Sequence, residues 1–320
     1  MEISIIIVTF NSASVIEACL RSILMQVKGL KYELIVLDNA SGDGTCQLIE
    51  AQFPEVILIR NQSNIGFARA NNLGLSKACG EFLLLINPDT LWEHGDLGAA
   101  IRFMRSHPEA GALGSRLVLP DGSWQKSHGN FPSLVRELKE AFYLPRAFPR
   151  SKWLKGVYAY QDQLDPTPVD WISCTFFLCR RTRMTEIGFF DEHYFMYYED
   201  IDLSKRIREA GKEIYYYPKV QVLHRQKEPA LIDFGESPYI YFNKFYGLSF
   251  ARALRYILLV KTVLRLLVFT PLTLLSPRRM FREKLKSNYR TFKFSLFRAP
   301  EIVRSLRMES RTRDDRSSGS

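Results

Sequence analysis

Along the first 120 residues, short apolar runs alternate with amphipathic stretches. Runs at 3–9, 32–38, 56–60, 82–87 and 110–119 have strand length, while 12–26, 44–52, 67–79 and 96–106 between them repeat apolar positions at helical spacing. Such βαβ alternation predicts an α/β domain with a mostly parallel central sheet and helices on both faces. Ile3-Ser4-Ile5-Ile6-Ile7-Val8 is nearly continuous in β-branched residues, as a strand covered on both faces requires. Asn11 or Ser12 is placed to cap the first helix and Asp43 the second.

The pattern changes at Pro120-Asp121-Gly122, a turn signal, and prolines 132, 145, 149, 166 and 168 interrupt the chain beyond it. The stretch 120–168 reads as a long loop with short helices over the active site. Regular structure resumes as a strand around 169–179, a helix from 200 to 210 ended by Gly211, and a strand at 213–217. From Tyr239 onward the chain is helical and strongly apolar up to Pro271, with Arg255, Lys261 and Arg265 set into the run. A spanning helix needs about 20 predominantly apolar residues. The embedded charges favour a segment lying in the membrane interface with snorkelling basic side chains over a span, and an internal packing helix is the third option. The implied organisation is a catalytic domain over 1–235, a basic, apolar, membrane-associating helical region over 236–308, and a disordered tail over 309–320.

Composition narrows this further. With 320 residues, 46% apolar and 24% charged, the chain builds a real core and is not disordered. The net charge of +10 is uneven: residues 251–320 hold seventeen Lys and Arg against five Asp and Glu, leaving the first 250 slightly acidic. A basic tail suits nucleic acid or an anionic membrane. Here it alternates with aliphatic leucines rather than stacking aromatics, so an anionic membrane surface is expected and no nucleic acid. Five cysteines without paired metal spacing read as reduced thiols. Met1 to Phe10 reads as a first strand and not a signal peptide, which places the catalytic part in the cytoplasm.

Candidate chemistry lies where apolar strands stop, since an open α/β sheet binds ligands beyond the carboxyl ends of its strands. Asp38 follows Glu33-Leu34-Ile35-Val36-Leu37 and suits either a nucleotide contact or a turn aspartate bonding its own backbone. The run from Asn64-Ile65-Gly66 to Asn71-Asn72 opens a helix, beside a nucleotide or as a plain helix start. Asn87-Pro88-Asp89 turns a carboxylate into the crevice, where a divalent ion takes few protein oxygens and fills its other positions with water and phosphate. Glu199-Asp200-x-Asp202 fits acids at a helix N-terminus, with Arg206 four residues on able to pair with Asp202. The preceding Tyr194-Phe195-Met196-Tyr197-Tyr198 gives these acids rings that wall a sugar and lower the dielectric around a base. His224 ends the apolar Val220-x-Val222-Leu223.

Taken in order, these motifs resemble the family 2 glycosyltransferases, inverting enzymes of the GT-A nucleotide-diphospho-sugar fold, and most closely their rhamnosyltransferase-like branch. The matching residues are Ser4 to Asn11, Val36 to Thr45, Asn64 to Gly74, Asn87-Pro88-Asp89, Gly188 to Phe195 and Glu199-Asp200-x-Asp202-Leu203-x-x-Arg206. The resemblance implies that Asp200 is the catalytic base, with Glu199 as the alternative. It places Thr9, Asn11, Asp38, Asn39, Asn64, Gly66 and Asn72 around the nucleotide. Asn87, Asp89 and His224 fall on the donor diphosphate, with Asp89 and His224 holding Mg²⁺ or Mn²⁺, and Trp171, Tyr197, Tyr198 and Asp202 line the sugar and acceptor pocket. Asn87 replaces the first acid of the usual Asp-x-Asp. The Gln-x-x-Arg-Trp signature of processive synthases is absent, so one or a few sugars are transferred. The expected partners are a nucleotide-diphospho-sugar, dTDP-rhamnose foremost, and a glycan or polyprenyl-linked acceptor of the cell envelope, at the cytoplasmic face of the inner membrane as a peripheral protein. The competing reading is a catalytically silent binding relative. A dinucleotide oxidoreductase is disfavoured because no Gly-x-Gly-x-x-Gly follows the first strand.

Overall fold

The computed structural model describes residues 1–158, 162–225, 235–275 and 279–306, with backbone only at 279–281. It divides into two compact units, Met1–Phe131 with Tyr158–Glu228, and Pro132–Val157 with Pro229–Ser320. The disorder expected at 309–320 lies outside the described residues.

In chain order the elements are β1 (Ile3–Thr9), α1 (Ile16–Gln26), β2 (Tyr32–Asp38), α2 (Thr45–Gln52), β3 (Val56–Arg60), α3 (Phe67–Lys77), β4 (Phe82–Ile86), β5 (Thr90–His94), α4 (Leu97–Ser106), β6 (Ala110–Val118), β7 (Trp124–Gln125) and β8 (His128–Gly129). Next come α5 (Leu134–Ala141) and α6 (Leu144–Ala147), both in the second unit. They are followed by β9 (Thr167–Val169), β10 (Trp171–Ile172), β11 (Phe176–Arg180), α7 (Arg181–Ile187), α8 (Glu199–Glu209) and β12 (Glu213–His224). The helices α9 (Ser237–Tyr246), α10 (Leu248–Leu275) and α11 (Arg279–Lys293) complete the second unit, with a π turn at Phe294–Arg298.

The first unit is built on a sheet ordered β3-β2-β1-β4-β11-β6-β12-β5, four of whose seven steps are parallel. Side chains alternate between two cores, as the two-residue strand period demands. Ile3, Ile5 and Ile7 join α1, α2 and α4 on one face. Ile6 joins α3, α7 and α8 on the other. The centre of the sheet is thus dry on both sides, which explains the apolar runs of β1, β2 and β4.

Several local expectations shift. α1 starts at Ile16 rather than residue 12, and neither Asn11 nor Ser12 caps it through a side chain; the Ser12 carbonyl instead accepts from the N–H of Val15 and Ile16. Gly44, at φ 90°, stands at the N-cap of α2. Asp43 still serves that end, accepting from Thr45 N at 3.1 Å and also from Ala13 N at 2.9 Å, so it ties two loops together. The strand expected at 169–179 is broken into β9, β10 and β11, of which β10 pairs with β8 in a separate two-stranded ribbon. β12 runs on to His224, past register shifts between Tyr217 and Gln221, because Pro218 has no N–H to give the ladder. β5, not foreseen from the pattern, pairs with the end of β12.

In the second unit, α10 buries Ala251, Leu254, Leu258, Lys261, Thr262 and Phe269. Lys261 sits on this inner face, 3.9 Å from Glu137 of α5. Arg265, one turn on, donates to the Glu140 carbonyl at 3.3 Å and lies 4.5 Å over the Tyr143 ring. The two cations therefore share one face and turn inward, rather than snorkelling outward.

Candidate active site

β11 runs antiparallel to both β4 and β6, and β12 runs parallel to β6. The carboxyl ends of β1, β2, β4 and β12 and the start of β11 therefore share one edge of the sheet. Thr9 pairs with Asp38, Ile86 with Phe176, and His224 with Thr90. Asp38, Asp89 and His224 reach that edge from far-apart positions in the chain.

At the β1–β2 end, Asp38 is 2% exposed. Its oxygens accept from Thr9 Oγ1 at 3.0 Å, Ser41 N at 2.9 Å and Ser41 Oγ at 2.5 Å. Burial would raise this carboxyl, yet bonds from Ser41, Cys46 and Thr9 hold it below its usual range. Four donors fill a carboxylate's lone-pair sites, so in this structure Asp38 acts as the turn aspartate that fixes the end of β2. Asn11, at φ 53°, closes the facing loop, donating N–H to Ser41 Oγ and accepting from Gly42 N, 2.8 and 2.9 Å. Asn39 N donates to the Thr9 carbonyl at 2.8 Å. Its side-chain amide reaches Asn64 Oδ1 and the Gly66 carbonyl, both at 3.3 Å. A Cβ on Gly66, at φ 87°, would come within 2.8 Å of the Phe195 ring and carbonyl. Only glycine lets the start of α3 pack this closely on the loop before α8.

The second group forms where β4 ends. Asn87 N donates to the Thr175 carbonyl at 3.2 Å, and its side-chain amide faces Thr175 Oγ1 at 3.5 Å. Asp89 Oδ1 stands 3.3 Å from His224 Nε2, while His224 Nδ1 lies 2.8 Å from Gln125 Oε1. His224 Nε2 is buried with no hydrogen-bond partner. Metal–oxygen distances near 2.1 Å put adjacent octahedral ligands about 3 Å apart, so the Asp89–His224 spacing and the unsatisfied nitrogen fit a divalent cation. Among the described residues no group of three or more His, Cys, Asp or Glu gathers as a metal cluster. Such a site would hold its ion through two side chains and leave the remaining positions to phosphate and water.

The third group is the first turn of α8. Asp200 accepts from Ile201 N at 2.8 Å and from the backbone N–H of Cys174. Cys174 precedes Thr175, which brings Asp200 to the same edge as Asn87. Burial pushes the Asp200 carboxyl up to about 6, against the pull of these bonds. Glu199, 5% exposed with an unpartnered Oε2, is pushed well above the carboxylate range by burial and by the charge of Asp200. The two carboxyls share one turn and the charge of one raises the other, so they do not both ionise readily. Tyr197 and Tyr198 both have φ 67° immediately before this turn. Non-glycine residues there cost about 1–3 kcal/mol each, and together with Asn11 and Ala40 they put four such residues at this edge.

The profile of glycosyl transferase family 2 matches residues 4–203. An N-acetylglucosaminyl-diphospho-decaprenol L-rhamnosyltransferase of Mycobacterium tuberculosis is 33% identical over 235 residues, covering 69% of this chain and 75% of the relative. The chain belongs to glycosyl transferase family 2. Rhamnosyltransferase WbbL of Escherichia coli is 31% identical over 170 residues, 50% of this chain and 60% of that protein. The mannosyltransferase PcManGT from Pyrobaculum calidifontis, solved with GDP-Man and Mn²⁺, shares the GT-A fold at a TM-score of 0.53 and 17% identity, over 92% of this chain and 87% of its own.

In this glycosyltransferase, three residues expected at ligands are committed to the protein itself. Asn72 donates to the Phe190 carbonyl at 2.9 Å and to Glu192 Oε1 at 3.0 Å, and accepts from Phe190 N at 2.9 Å, which clasps α3 to the loop before α8. Asp202 is fully buried and bonds Arg206 Nε at 2.7 Å, while the rest of that guanidinium donates to the carbonyls of Ile187, Gly188 and Phe189. Asp202 is thus the anchor of α8 and does not line a pocket. Trp171 is 3% exposed, with Nε1 on the Asn130 carbonyl at 3.0 Å and its ring edge-on to Tyr158. Tyr197 and Tyr198 remain half-buried beside the acidic pair. Thr175 and Gln125 lie outside the motifs, and Ser41 lies inside one that assigns it no role. Each is an ordinary polar residue whose partner is supplied by the fold, and only Ser41 carried a local signal, the Asp-x-x-Ser turn.

Proposed function

We propose that this glycosyltransferase moves rhamnose from dTDP-rhamnose, with inversion at the anomeric carbon, to a hydroxyl of N-acetylglucosamine carried on a polyprenyl diphosphate in cell-envelope synthesis. The observation that carries the reaction type is Asp200, a carboxylate poised near pH 6 at the sheet edge that also bears Asp89 and His224. Asp200 takes the proton from the acceptor hydroxyl as that oxygen attacks the anomeric carbon and the nucleoside diphosphate departs. Asp89 and His224 would hold Mg²⁺ or Mn²⁺, which when bound offsets the charge growing on the leaving diphosphate. The loops of Asn11 and Ala40 to Gly42 frame the nucleotide end. Support for sugar and acceptor comes from the activity by which the M. tuberculosis relative is named.

A membrane surface suits such an acceptor. α10 leaves Tyr256, Val260, Val263, Leu267 and Leu274 exposed along one stripe. Its other face is taken by α5, α9 and α11, and α11 exposes Arg282, Lys284, Lys286, Arg290 and Lys293. Crossing the bilayer would carry these charges into hydrocarbon, whereas lying flat on the cytoplasmic leaflet buries the stripe and sets the cations among lipid phosphates.

The test is transfer by the purified protein from dTDP-rhamnose to synthetic N-acetylglucosaminyl-diphospho-polyprenol. A product one deoxyhexose heavier, with inverted anomeric configuration, is expected. Transfer only from a UDP- or GDP-sugar would refute rhamnose. Donor binding without transfer from any donor would favour the silent relative.

A further inference from the structure

We infer that Gln125 is a positioning residue that sets the His224 tautomer for cation binding; this rests on the metal reading of Asp89 and His224 above. Gln125 is 7% exposed and lies in the two-residue strand β7, paired with Leu117 of β6. The connecting turn is pinned by Leu119 N to the Ser123 carbonyl and by Asp121 Oδ1, which accepts from Ser123 N at 2.9 Å. The hairpin therefore fixes the depth at which the Gln125 side chain meets His224.

A side-chain carbonyl only accepts. At 2.8 Å from His224 Nδ1, Gln125 Oε1 places the ring proton on Nδ1 and leaves a bare lone pair on Nε2. That lone pair faces Asp89 Oδ1 at 3.3 Å and is otherwise unpartnered. Two acceptors turned toward one another repel unless a cation lies between them. Without Gln125 the ring is free to move its proton to Nε2, donate it to Asp89, and close the site to metal. Nothing in the local sequence marks Gln125 for this role, which arises from the pairing of β7 with β6 beside the end of β12.

The experiment measures Mn²⁺ binding in the presence of dTDP by electron paramagnetic resonance, alongside ¹⁵N shifts of the His224 ring in metal-free protein. It compares wild type with Gln125→Met and Gln125→Glu. The methionine matches the length without the acceptor, and second-sphere losses of this kind cost about 10–100-fold in metal affinity. Gln125→Met is expected to weaken Mn²⁺ by that factor and to move the ring proton from Nδ1 to Nε2. Gln125→Glu, which restores an acceptor, is expected to keep the wild-type tautomer and affinity. Unchanged affinity and tautomer in Gln125→Met, beside a wild type that binds Mn²⁺, would overturn the role of Gln125 alone. Failure of folded wild type to bind Mn²⁺ would overturn the metal reading, and this role with it.

Discussion

At the scale of single residues, the proposed division of labour between Asp200 as base and Glu199 as a protonated neighbour has consequences for both rate and stability. Burial pushes the Asp200 carboxyl up from its ordinary 3.8 to about 6. The folded state therefore binds more protons between those values, and stability falls as pH rises through that window. Asp200→Asn removes the cost of ionising a buried carboxyl. It should raise the melting temperature at pH 7.5 while leaving it nearly unchanged at pH 4, and it should slow turnover by about 10²–10⁴-fold. Wild-type turnover should fall below a pH near 6 as the base is protonated. Glu199→Gln replaces a protonated acid with its isostere and should keep most of the activity; if it were as inactive as Asp200→Asn, the assignment of the base would be reversed. The positions of Asp89, Asp200 and His224 at one sheet edge could be anticipated because each lies near the end of a recognisable strand or the start of a helix. The Asp202–Arg206 pair was readable from the four-residue spacing, whereas motif membership did not reveal that Asn72 and Trp171 spend their polar groups on the protein's own carbonyls.

At the scale of elements, α10 shows how a helical pattern misleads when its partners are unknown. Its 28 residues span about 42 Å at 1.5 Å per residue, long enough for a membrane, and Lys261 and Arg265 looked like snorkelling charges. They lie instead under α5, where burial lowers the Lys261 ammonium and raises the Glu137 carboxyl, each opposed by the charge of the other. The apolar stripe that remains exposed leads to a prediction for flotation with vesicles. Leu267→Glu, at a side chain 67% exposed, should fold normally yet lose most binding to phosphatidylglycerol-containing vesicles, with neutral phosphatidylcholine binding weakly throughout. Undiminished flotation of the variant would remove the stripe from the lipid contact. β5 and the broken 169–179 segment escaped the sequence pattern because two- to five-residue strands are defined by their neighbours and carry almost no periodicity of their own.

At the scale of the whole molecule, the first half of the chain was the more legible. Its central strands β1, β2 and β4 are largely buried on both faces, so their apolar runs reveal position and direction together. The stretch Pro132–Val157 groups with the C-terminal helices, and no short-range pattern announces a pairing between Glu137 and Lys261, 124 positions apart. The proposed chemistry rests on the first unit, whose described residues gather Asp89, His224 and Asp200 onto one sheet edge. Donor binding tests that assignment most directly, as the thermal shift produced by dTDP-rhamnose, UDP-sugars and GDP-sugars with and without Mn²⁺, on wild type and Asp89→Ala. The expected result is a Mn²⁺-dependent rise with dTDP-rhamnose that disappears in Asp89→Ala. An equal rise in the folded variant, or none in wild type with any donor, would contradict a cation-held diphosphate at this edge.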